Sequence, residues 1–272
     1  MVERVAIFSN GYDLSKQVEG SLKKELEKAQ IKVVPAEELR QRDLAIALGG
    51  DGAFLRMVRE MNYSDQIRYV GINTGTLGFL QEVEFKDIDN FVECIKKDNF
   101  KIDKVPVEIT YVYGDENERI ESINEVVIRE ENLRTMHSAI YINGSLFENF
   151  SGDGILVATS TGSTAYNLSF GGAVIDRSIE TLQITPIAPI NNRSYKNLIS
   201  SVITSGASII TLHPSERQKT GFLVMADGVS KVCKNVKSIT IELGHYIHVL
   251  SFESRDYIRT INEKLLNWTK KI

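Results

Sequence analysis

The apolar residues of the first hundred positions follow two alternating patterns. Short unbroken apolar runs predict strands at residues 2–8, 31–34, 44–48 and 69–72. Between these runs, apolar residues recur every three or four positions, which predicts helices with one buried face at residues 14–26, 54–61 and 88–97. The run Leu-Ala-Ile-Ala-Leu at 44–48 is typical of a strand covered on both faces of a parallel sheet. We therefore expect residues 1–100 to form an open α/β domain.

After residue 100 the pattern changes to short runs rich in β-branched and aromatic residues. They predict strands at residues 107–113, 125–129, 138–142, 209–213, 222–226, 238–242 and 246–252. Residues 101–252 are therefore expected to form a second, mostly β domain. Helical spacing returns at residues 257–268, and the segment 253–272 is expected to pack back on the first domain. A cleft between two such domains is the default place for a ligand.

Composition places the chain among ordinary globular proteins. Of its 272 residues 42% are hydrophobic and 25% charged, which is enough apolar material for packed cores. The net charge of −4 argues against nucleic acid or an anionic membrane as the main partner, because such partners need a concentrated basic surface. Two cysteines cannot build a disulfide framework, and the first apolar run is too short for a signal peptide or a membrane span. We expect a cytoplasmic protein.

The strongest local signal is the turn Gly49-Gly50-Asp51-Gly52 between a buried strand and a helix. Glycines let the backbone approach a ligand, and the start of a helix attracts anions, so this turn is suited to a phosphate. A carboxylate there would repel phosphate unless it holds Mg²⁺ or takes a proton from an attacking hydroxyl. The alternative is a plain strand-to-helix turn. No third glycine follows, which weakens a Rossmann dinucleotide interpretation, and because no Walker A sequence occurs, the phosphate chemistry is not of the P-loop type.

Hydroxyl side chains are concentrated around Gly162, where they occupy five of six positions: Thr159, Ser160, Thr161, Ser163 and Thr164. They can bond sugar hydroxyls and phosphate oxygens without adding charge. The alternative is that Ser163 or Thr164 only caps a helix starting at Ala165. Since five hydroxyls exceed what a cap requires, we expect this loop to contact a ligand.

Two shorter polar sites border predicted strands. Asn124 and Glu125 precede the strand at 125–129, where an amide and a carboxylate can read an adenine edge and clamp a ribose diol, or simply form a solvated strand end. Asp227-Gly228 follows the strand at 222–226, and a hairpin turn is favoured over a polar wall of the site. The four histidines form no metal-binding pattern, and no GxSxG nucleophile motif occurs.

Taken together and in order, these stretches resemble the motif series of bacterial NAD kinases. The matching segments lie between about Ala45 and Gly228: LGGDGAFLR, GINTGTLGFL, INEVVI, SGDGILVATSTGSTAYNLSFGG, ITPIAPINNRSY and VMADG. The resemblance implies an α/β domain followed by a sandwich-like β domain, with NAD bound between them. It also implies a homotetramer in which a neighbouring subunit closes each NAD site.

The resemblance further implies roles for individual residues. Asp51 would deprotonate the 2′-hydroxyl of the adenosine ribose, with Gly49, Gly50 and Gly52 in the turn that receives the phosphate donor. NAD would contact Asp51, Gly52, Arg56, Phe79, Asn124, Glu125, Asp153, Thr161, Thr164, Ala165, Tyr166, Asn167, Leu168, Ser169 and Ala188. The donor would be ATP or polyphosphate with Mg²⁺ or another divalent metal. Two departures from the family pattern, Ala53 for a frequent threonine and Ser160 for a common proline, bear on the choice of donor.

Two other functions are compatible with part of the pattern. Lipid kinases of the diacylglycerol type resemble this chain at the GGDG turn, and a protein of the same fold could bind NAD without catalysis. The hydroxyl-rich segment and the lack of a membrane-binding stretch disfavour a lipid kinase. We therefore predict an NAD kinase that forms NADP, and an assay for NADP distinguishes the three functions.

Overall fold

A computed structural model describes residues 2–75, 78–252 and 257–266. The chain divides into two compact units. Unit 1 contains the residues up to Val105 and the described residues from Tyr246 onward, and unit 2 is Pro106–His245. Within the described ranges, no helix is both long enough and apolar enough to cross a membrane.

The regular elements are numbered in chain order. They are β1 (Arg4–Ser9), α1 (Asp13–Lys28), β2 (Lys32–Val33), β3 (Leu44–Gly49), α2 (Asp51–Glu60), β4 (Arg68–Asn73), β5 (Val83–Glu84), α3 (Ile88–Lys96), β6 (Lys101–Tyr113), β7 (Glu118–Ser122), β8 (Glu125–Glu130), β9 (Met136–Ile142), β10 (Ser145–Gly152), β11 (Gly154–Thr159), α4 (Tyr166–Ser169), β12 (Thr181–Ile187), β13 (Val202–Ser205), β14 (Ile210–Pro214), β15 (Phe222–Ala226), β16 (Val229–Cys233), β17 (Ser238–Ser251) and α5 (Tyr257–Ile261). Short 3₁₀ turns lie at Ala36–Glu38, Phe85–Asp87 and Thr161–Thr164, and a π-helical turn follows α5 at Asn262–Leu266.

Unit 1 is built on a parallel sheet, as its sequence pattern predicts. The strands run in the order β4-β3-β1-β2, with β5 and the last part of β17 paired to β4. Every residue of β3 is buried, as expected for an apolar strand inside a parallel sheet. The apolar faces of α1 and α3 join one core cluster with residues of β1, β3 and β4.

Two details of unit 1 differ from the predicted elements. The helix α2 begins at Asp51 rather than at residue 54, because its first turn is polar and lies outside the apolar periodicity. In α1 the buried stripe starts at Ser15, which is 1% exposed, whereas Leu14 is 39% exposed. The Ser15 hydroxyl compensates for its burial with a 2.6 Å hydrogen bond to the Thr74 hydroxyl.

Unit 2 is a sandwich of two antiparallel sheets, which confirms the predicted mostly β, sandwich-like fold. One sheet has the order β13-β12-β11-β8-β15-β16 and the other β10-β9-β14-β17-β6-β7. Apolar side chains of both sheets share one core cluster, for example Val126 and Ile155 from the first and Ile210 and Ile241 from the second. The core of unit 2 therefore lies between its sheets.

The prediction of two separate strands at 238–242 and 246–252 is wrong, because both lie within the single strand β17. The residues between them resemble a turn only in sequence. A Cβ on Gly244 would lie 2.0 Å from Cδ1 of Ile109, so the glycine allows close packing rather than a change of direction. The helix predicted over 257–268 is observed through Leu266, and the rest lies outside the described residues.

Candidate functional site

Unit 1 contains one candidate region, the turn between β3 and α2. Gly50 is extended, and its carbonyl accepts the backbone N–H of Ala53, which starts the helix. A Cβ on Gly49 would lie 2.5 Å from that of Ala53, so the turn can approach the helix only because this residue is glycine. A Cβ on Gly52 would meet no atom within 4 Å. The turn thus has an open side at the positive end of a ten-residue helix, as a phosphate site requires.

The carboxylate of Asp51 is fixed in orientation by two backbone N–H groups. Phe79 donates to Oδ2 and Leu80 to Oδ1, each over 2.8 Å. These bonds bring Phe79 beside the turn. Each carboxylate oxygen keeps a further lone pair, so Asp51 can still accept a hydroxyl proton or bind a cation.

Arg56 lies one turn into α2 and is already engaged within the protein. Its Nη2 donates to the carbonyl of Ser9 over 2.7 Å, and its Nε lies 3.7 Å from Oε1 of Glu60. The side chain is 41% exposed. A guanidinium has five N–H donors, so Arg56 retains the capacity to contact a phosphate while it holds the end of β1.

Unit 2 contains a candidate region of its own, the turn before β8. Asn124 and Glu125 are each 7% exposed. The carboxylate of Asp227 accepts the backbone N–H groups of Ile123 over 2.8 Å and of Asn124 over 2.9 Å. Asp227 and Gly228 both have positive φ, which forms the predicted hairpin turn between β15 and β16. Asp227 is therefore both a turn residue and a clamp on the Asn124 backbone, a role that the sequence did not predict.

The environment of the Glu125 carboxyl group favours its uncharged form. Burial, together with the negative charge of Asp227, raises its pKa to about 8 against the opposing effect of the Tyr166 backbone N–H. Its Oε2 has no hydrogen-bond partner among the described residues. Since a neutral carboxyl can donate as well as accept, Glu125 is suited to bind a ribose hydroxyl.

The hydroxyl-rich loop is only partly available to a ligand. Thr159 donates to the carbonyl of Ile123 over 2.6 Å, Ser160 bonds Thr181, and Ser163 bonds the backbone of Ile175. These three hydroxyls therefore hold the loop itself, and the expected contact between the loop and a ligand would have to come from the other two. No side-chain cap is formed at the 3₁₀ turn or at α4, so the capping alternative is wrong.

The remaining hydroxyls of this loop lie near Asn124. A Cβ on Gly162 would lie 1.9 Å from the Asn124 carbonyl oxygen, so the loop packs directly on that backbone. Within the described residues, neither the Thr161 nor the Thr164 hydroxyl has a hydrogen-bond partner. These two threonines are therefore the hydroxyls of the loop that can still bond a ligand.

The segment that follows presents one aromatic ring and buries one amide. Tyr166 is 39% exposed and its ring contacts Phe170 edge-on, with 4.8 Å between centroids. Asn167 is fully buried, and its amide bonds the Ser163 carbonyl over 3.3 Å and the Thr185 hydroxyl over 2.6 Å. The side chain of Asn167 thus supports the segment, whereas Ala165 and Leu168 are half-buried and Ser169 is exposed.

Asp153 and Ala188 lie at the other end of β11 from the hydroxyl-rich loop. Asp153 is exposed, 3.8 Å from the guanidinium of Arg129, and Ala188 is exposed with φ of +43°. The backbone N–H of Asp153 bonds Ile187, which keeps the two residues together. Because β11 spans about 17 Å at its usual rise per residue, one subunit holds this pair well apart from Asn124.

No preformed metal cage is found in the described part of the chain. None of its His, Cys, Asp and Glu side chains form a group of three or more placed to hold an ion. Cys94 and Cys233 are both free thiols.

Comparison with known proteins gives consistent results for the whole chain. Residues 9–100 match the model of the ATP-NAD kinase N-terminal domain, and residues 123–250 match that of the ATP-NAD kinase C-terminal domain. The NAD kinase of Finegoldia magna is 35% identical over 81% of this chain and 83% of its own length. The NAD kinase of Lactobacillus acidophilus is 33% identical over 92% of this chain and 91% of its own length.

Two solved structures share the fold. Yeast NADH kinase complexed with NADH has a TM-score of 0.83 and 19% identity, with 100% of this chain and 89% of that one covered. An NAD kinase from Archaeoglobus fulgidus in complex with ATP has a TM-score of 0.76 and 24% identity, with 96% and 98% covered.

Proposed function

The chain belongs to the NAD kinase family, and from this premise we propose how its residues carry out the reaction. As an NAD kinase it phosphorylates NAD on the 2′-hydroxyl of the adenosine ribose and releases NADP. The observation that carries the assignment of roles is the fixed carboxylate of Asp51 at the open GGDG turn.

Asp51 acts as the general base. The 2′-hydroxyl gives its proton to a carboxylate oxygen, and the hydroxyl oxygen attacks the terminal phosphorus of the donor. The new O–P bond forms as the bond to the leaving phosphate oxygen breaks, so that ATP leaves as ADP. The two N–H bonds from Phe79 and Leu80 hold the carboxylate in one orientation throughout, which keeps it aligned with the attacking hydroxyl.

ATP is the proposed donor, and polyphosphate is the alternative that the same turn would accept. Gly49, Gly50 and Gly52 and the start of α2 provide the backbone for its phosphates. Magnesium fits this arrangement, because Mg²⁺ in phosphoryl-transfer sites is held by one or two carboxylates and by the substrate phosphates rather than by a protein cage. Asp51 would be its protein ligand, and the ion would neutralise charge on the donor phosphates.

NAD is proposed to lie against the Asn124 turn of unit 2. The amide of Asn124 and the neutral carboxyl of Glu125 bind ribose and base edges. The hydroxyls of Thr161 and Thr164 add donors without charge, and the exposed ring of Tyr166 offers a face on which a base can stack. The buried Oε2 of Glu125, which has no hydrogen-bond partner among the described residues, supports the use of this turn as the substrate-binding edge.

A homotetramer is proposed because two groups of residues expected to bind NAD lie far apart within a single subunit. Asp153 and Ala188 lie at the far end of β11 from Asn124, so a neighbouring copy is the natural source of the second part. The two free thiols are compatible with a reducing cytoplasm, which is the proposed location.

The function is tested by incubating the purified protein with NAD, Mg²⁺ and either ATP or polyphosphate, with NADP detected by an NADP-specific dehydrogenase. We expect NADP with ATP. Binding of NAD without NADP from either donor would instead identify a sensor. Incorporation of phosphate into diacylglycerol, with none into NAD, would identify a lipid kinase.

A further inference from the structure

Glu108 is a fully buried carboxyl group behind the Asn124 turn, and the sequence analysis gives it no role. It lies on β6, directly opposite Ser122 on β7, and its solvent exposure is 0%. Its Oε1 accepts the Ser122 hydroxyl over 3.1 Å. Ser122 is the last residue of β7, immediately before the residues that Asp227 clamps. The turn is therefore held from two sides by carboxyl groups.

The charges around Glu108 are of its own sign. Burial raises the pKa of Glu108 well above its usual range, and the charges of Asp227 and Glu125 add to this shift, while the Ser122 hydroxyl and the Val126 N–H oppose it. Its Oε2 has no hydrogen-bond partner among the described residues. Burial and the neighbouring negative charges therefore both favour the uncharged form of this carboxyl group.

The cations of the neighbouring strands do not compensate Glu108. On β7, Glu118 shares the face of Ser122 but lies at the far end of the strand, where it pairs with Lys231 over 2.6 Å. Arg119 pairs with Glu121 over 2.7 Å, and His245 of β17 lies 3.8 Å from Glu121. Because Glu121 is opposite Ile109, that group belongs to the other face of the sheet.

We propose that Glu108 is a positioning residue of the NAD site: its side chain accepts the Ser122 hydroxyl and so fixes the turn that presents Asn124 and Glu125 to the substrate. This inference rests on the proposed binding of NAD by Asn124 and Glu125. If Glu108 were ionised, its negative charge would add to that of Asp227 beside the same turn, and the turn would loosen. If its acceptor oxygen were removed, the buried Ser122 hydroxyl would lose its partner.

The test compares Glu108→Leu, Glu108→Gln and the control Thr110→Val. Thr110 is 1% exposed and lies two residues along the same strand on the same face, without a hydrogen bond to the turn. We expect Glu108→Leu to raise KM for NAD about tenfold and to change kcat less than about threefold, as for a lost buried hydrogen bond. Glu108→Gln keeps the acceptor and stays within about twofold of wild type, and Thr110→Val leaves KM unchanged.

A pH profile separates positioning by a neutral acid from a merely structural role. KM for NAD of the wild type should rise with increasing pH as Glu108 ionises, and this rise should be absent in Glu108→Gln. The titration of Glu125 near pH 8 should remain in both proteins. A profile of Glu108→Gln that coincides with the wild type over the whole range would overturn the proposal.

Two further variants keep the result decisive. If Glu108→Leu fails to fold by circular dichroism, Ser122→Ala removes the same hydrogen bond from the other side and should raise KM for NAD in the same direction. An unchanged KM in Ser122→Ala would contradict the proposal. Asn124→Ala distinguishes failure of the proposed NAD site from failure of the role of Glu108. If Asn124→Ala leaves KM for NAD unchanged, the proposed NAD site is wrong. If Asn124→Ala raises KM for NAD but Ser122→Ala does not, only the role of Glu108 is refuted.

Discussion

Replacing Asp227 by asparagine tests the clamp on the Asn124 turn. Asparagine tolerates the φ of +45° at this position, so the hairpin turn itself is retained. The substitution removes the charge and turns one of two acceptor oxygens into an NH₂ group that faces a backbone N–H. Since a hydrogen bond to a charged group contributes about 1.5–3 kcal/mol, we expect the free energy of unfolding to fall by about 2–3 kcal/mol.

The same substitution changes the titration of Glu125. The negative charge of Asp227 is one of the causes that raise the pKa of Glu125 to about 8, so its removal should lower that pKa. We expect KM for NAD to rise, because Asn124 loses its backbone anchor, and the alkaline inflexion in the pH profile of KM to move to lower pH.

The measurements are urea unfolding, followed by circular dichroism, and NADP formation over a range of NAD concentrations and pH. Asp176→Asn is the matched control, because this exposed carboxylate bonds a residue two positions away: it accepts the backbone N–H and the hydroxyl of Ser178, each over 2.8 Å. It should shift stability by less than about 1 kcal/mol. Unchanged stability and an unmoved inflexion in Asp227→Asn would refute the reasoning.

Three further outcomes are expected. The pKa of Glu125 is raised in the folded state from 4.5 to about 8. The stability that its neutral form contributes is therefore full below about pH 4.5 and is lost as the pH rises through 8. In unfolding experiments across this pH range, Glu125→Gln should remove that loss. Asn167→Ala should lower the melting temperature and raise KM for NAD together, because it leaves the buried Ser163 carbonyl and Thr185 hydroxyl without this partner. A change in KM without a change in melting temperature would contradict the supporting role of Asn167. Co-expression of Asn124→Ala with Asp153→Ala subunits should give more NADP than either variant alone if neighbouring copies complete the NAD site, and no gain would contradict that arrangement.

Elements whose burial follows from their own periodicity were predictable from the sequence. The apolar run of β3 and the alternation of β15 are examples, because the pattern of side chains itself decides which face is covered. The start of α2 was missed because its first turn, at Asp51, is polar. The single strand β17 was missed because Gly244 resembles a turn residue. In the structure this position is glycine because the side chain of Ile109 packs against it and leaves no space for a Cβ.

The site was predictable only in part, for a related reason. Local motifs identified the GGDG turn and the Asn124 turn as polar positions at the ends of strands. The groups that orient them come from distant positions: Asp227 binds the backbone of Ile123 from 104 residues away, and Phe79 binds Asp51 from 28. Periodicity contains no information about such partners. Nor could it show that Ser163 and its neighbours hold their own loop rather than a ligand.

The central claim is that Asp51 takes the proton of the 2′-hydroxyl, and Asp51→Asn tests it most directly. Asparagine can keep one of the two bonds to the Phe79 and Leu80 N–H groups, but it cannot accept the proton. NADP formation from saturating NAD, Mg²⁺ and ATP should fall by about 10²- to 10⁴-fold, with a small change in NAD affinity measured by calorimetry. Turnover close to that of the wild type would contradict the account.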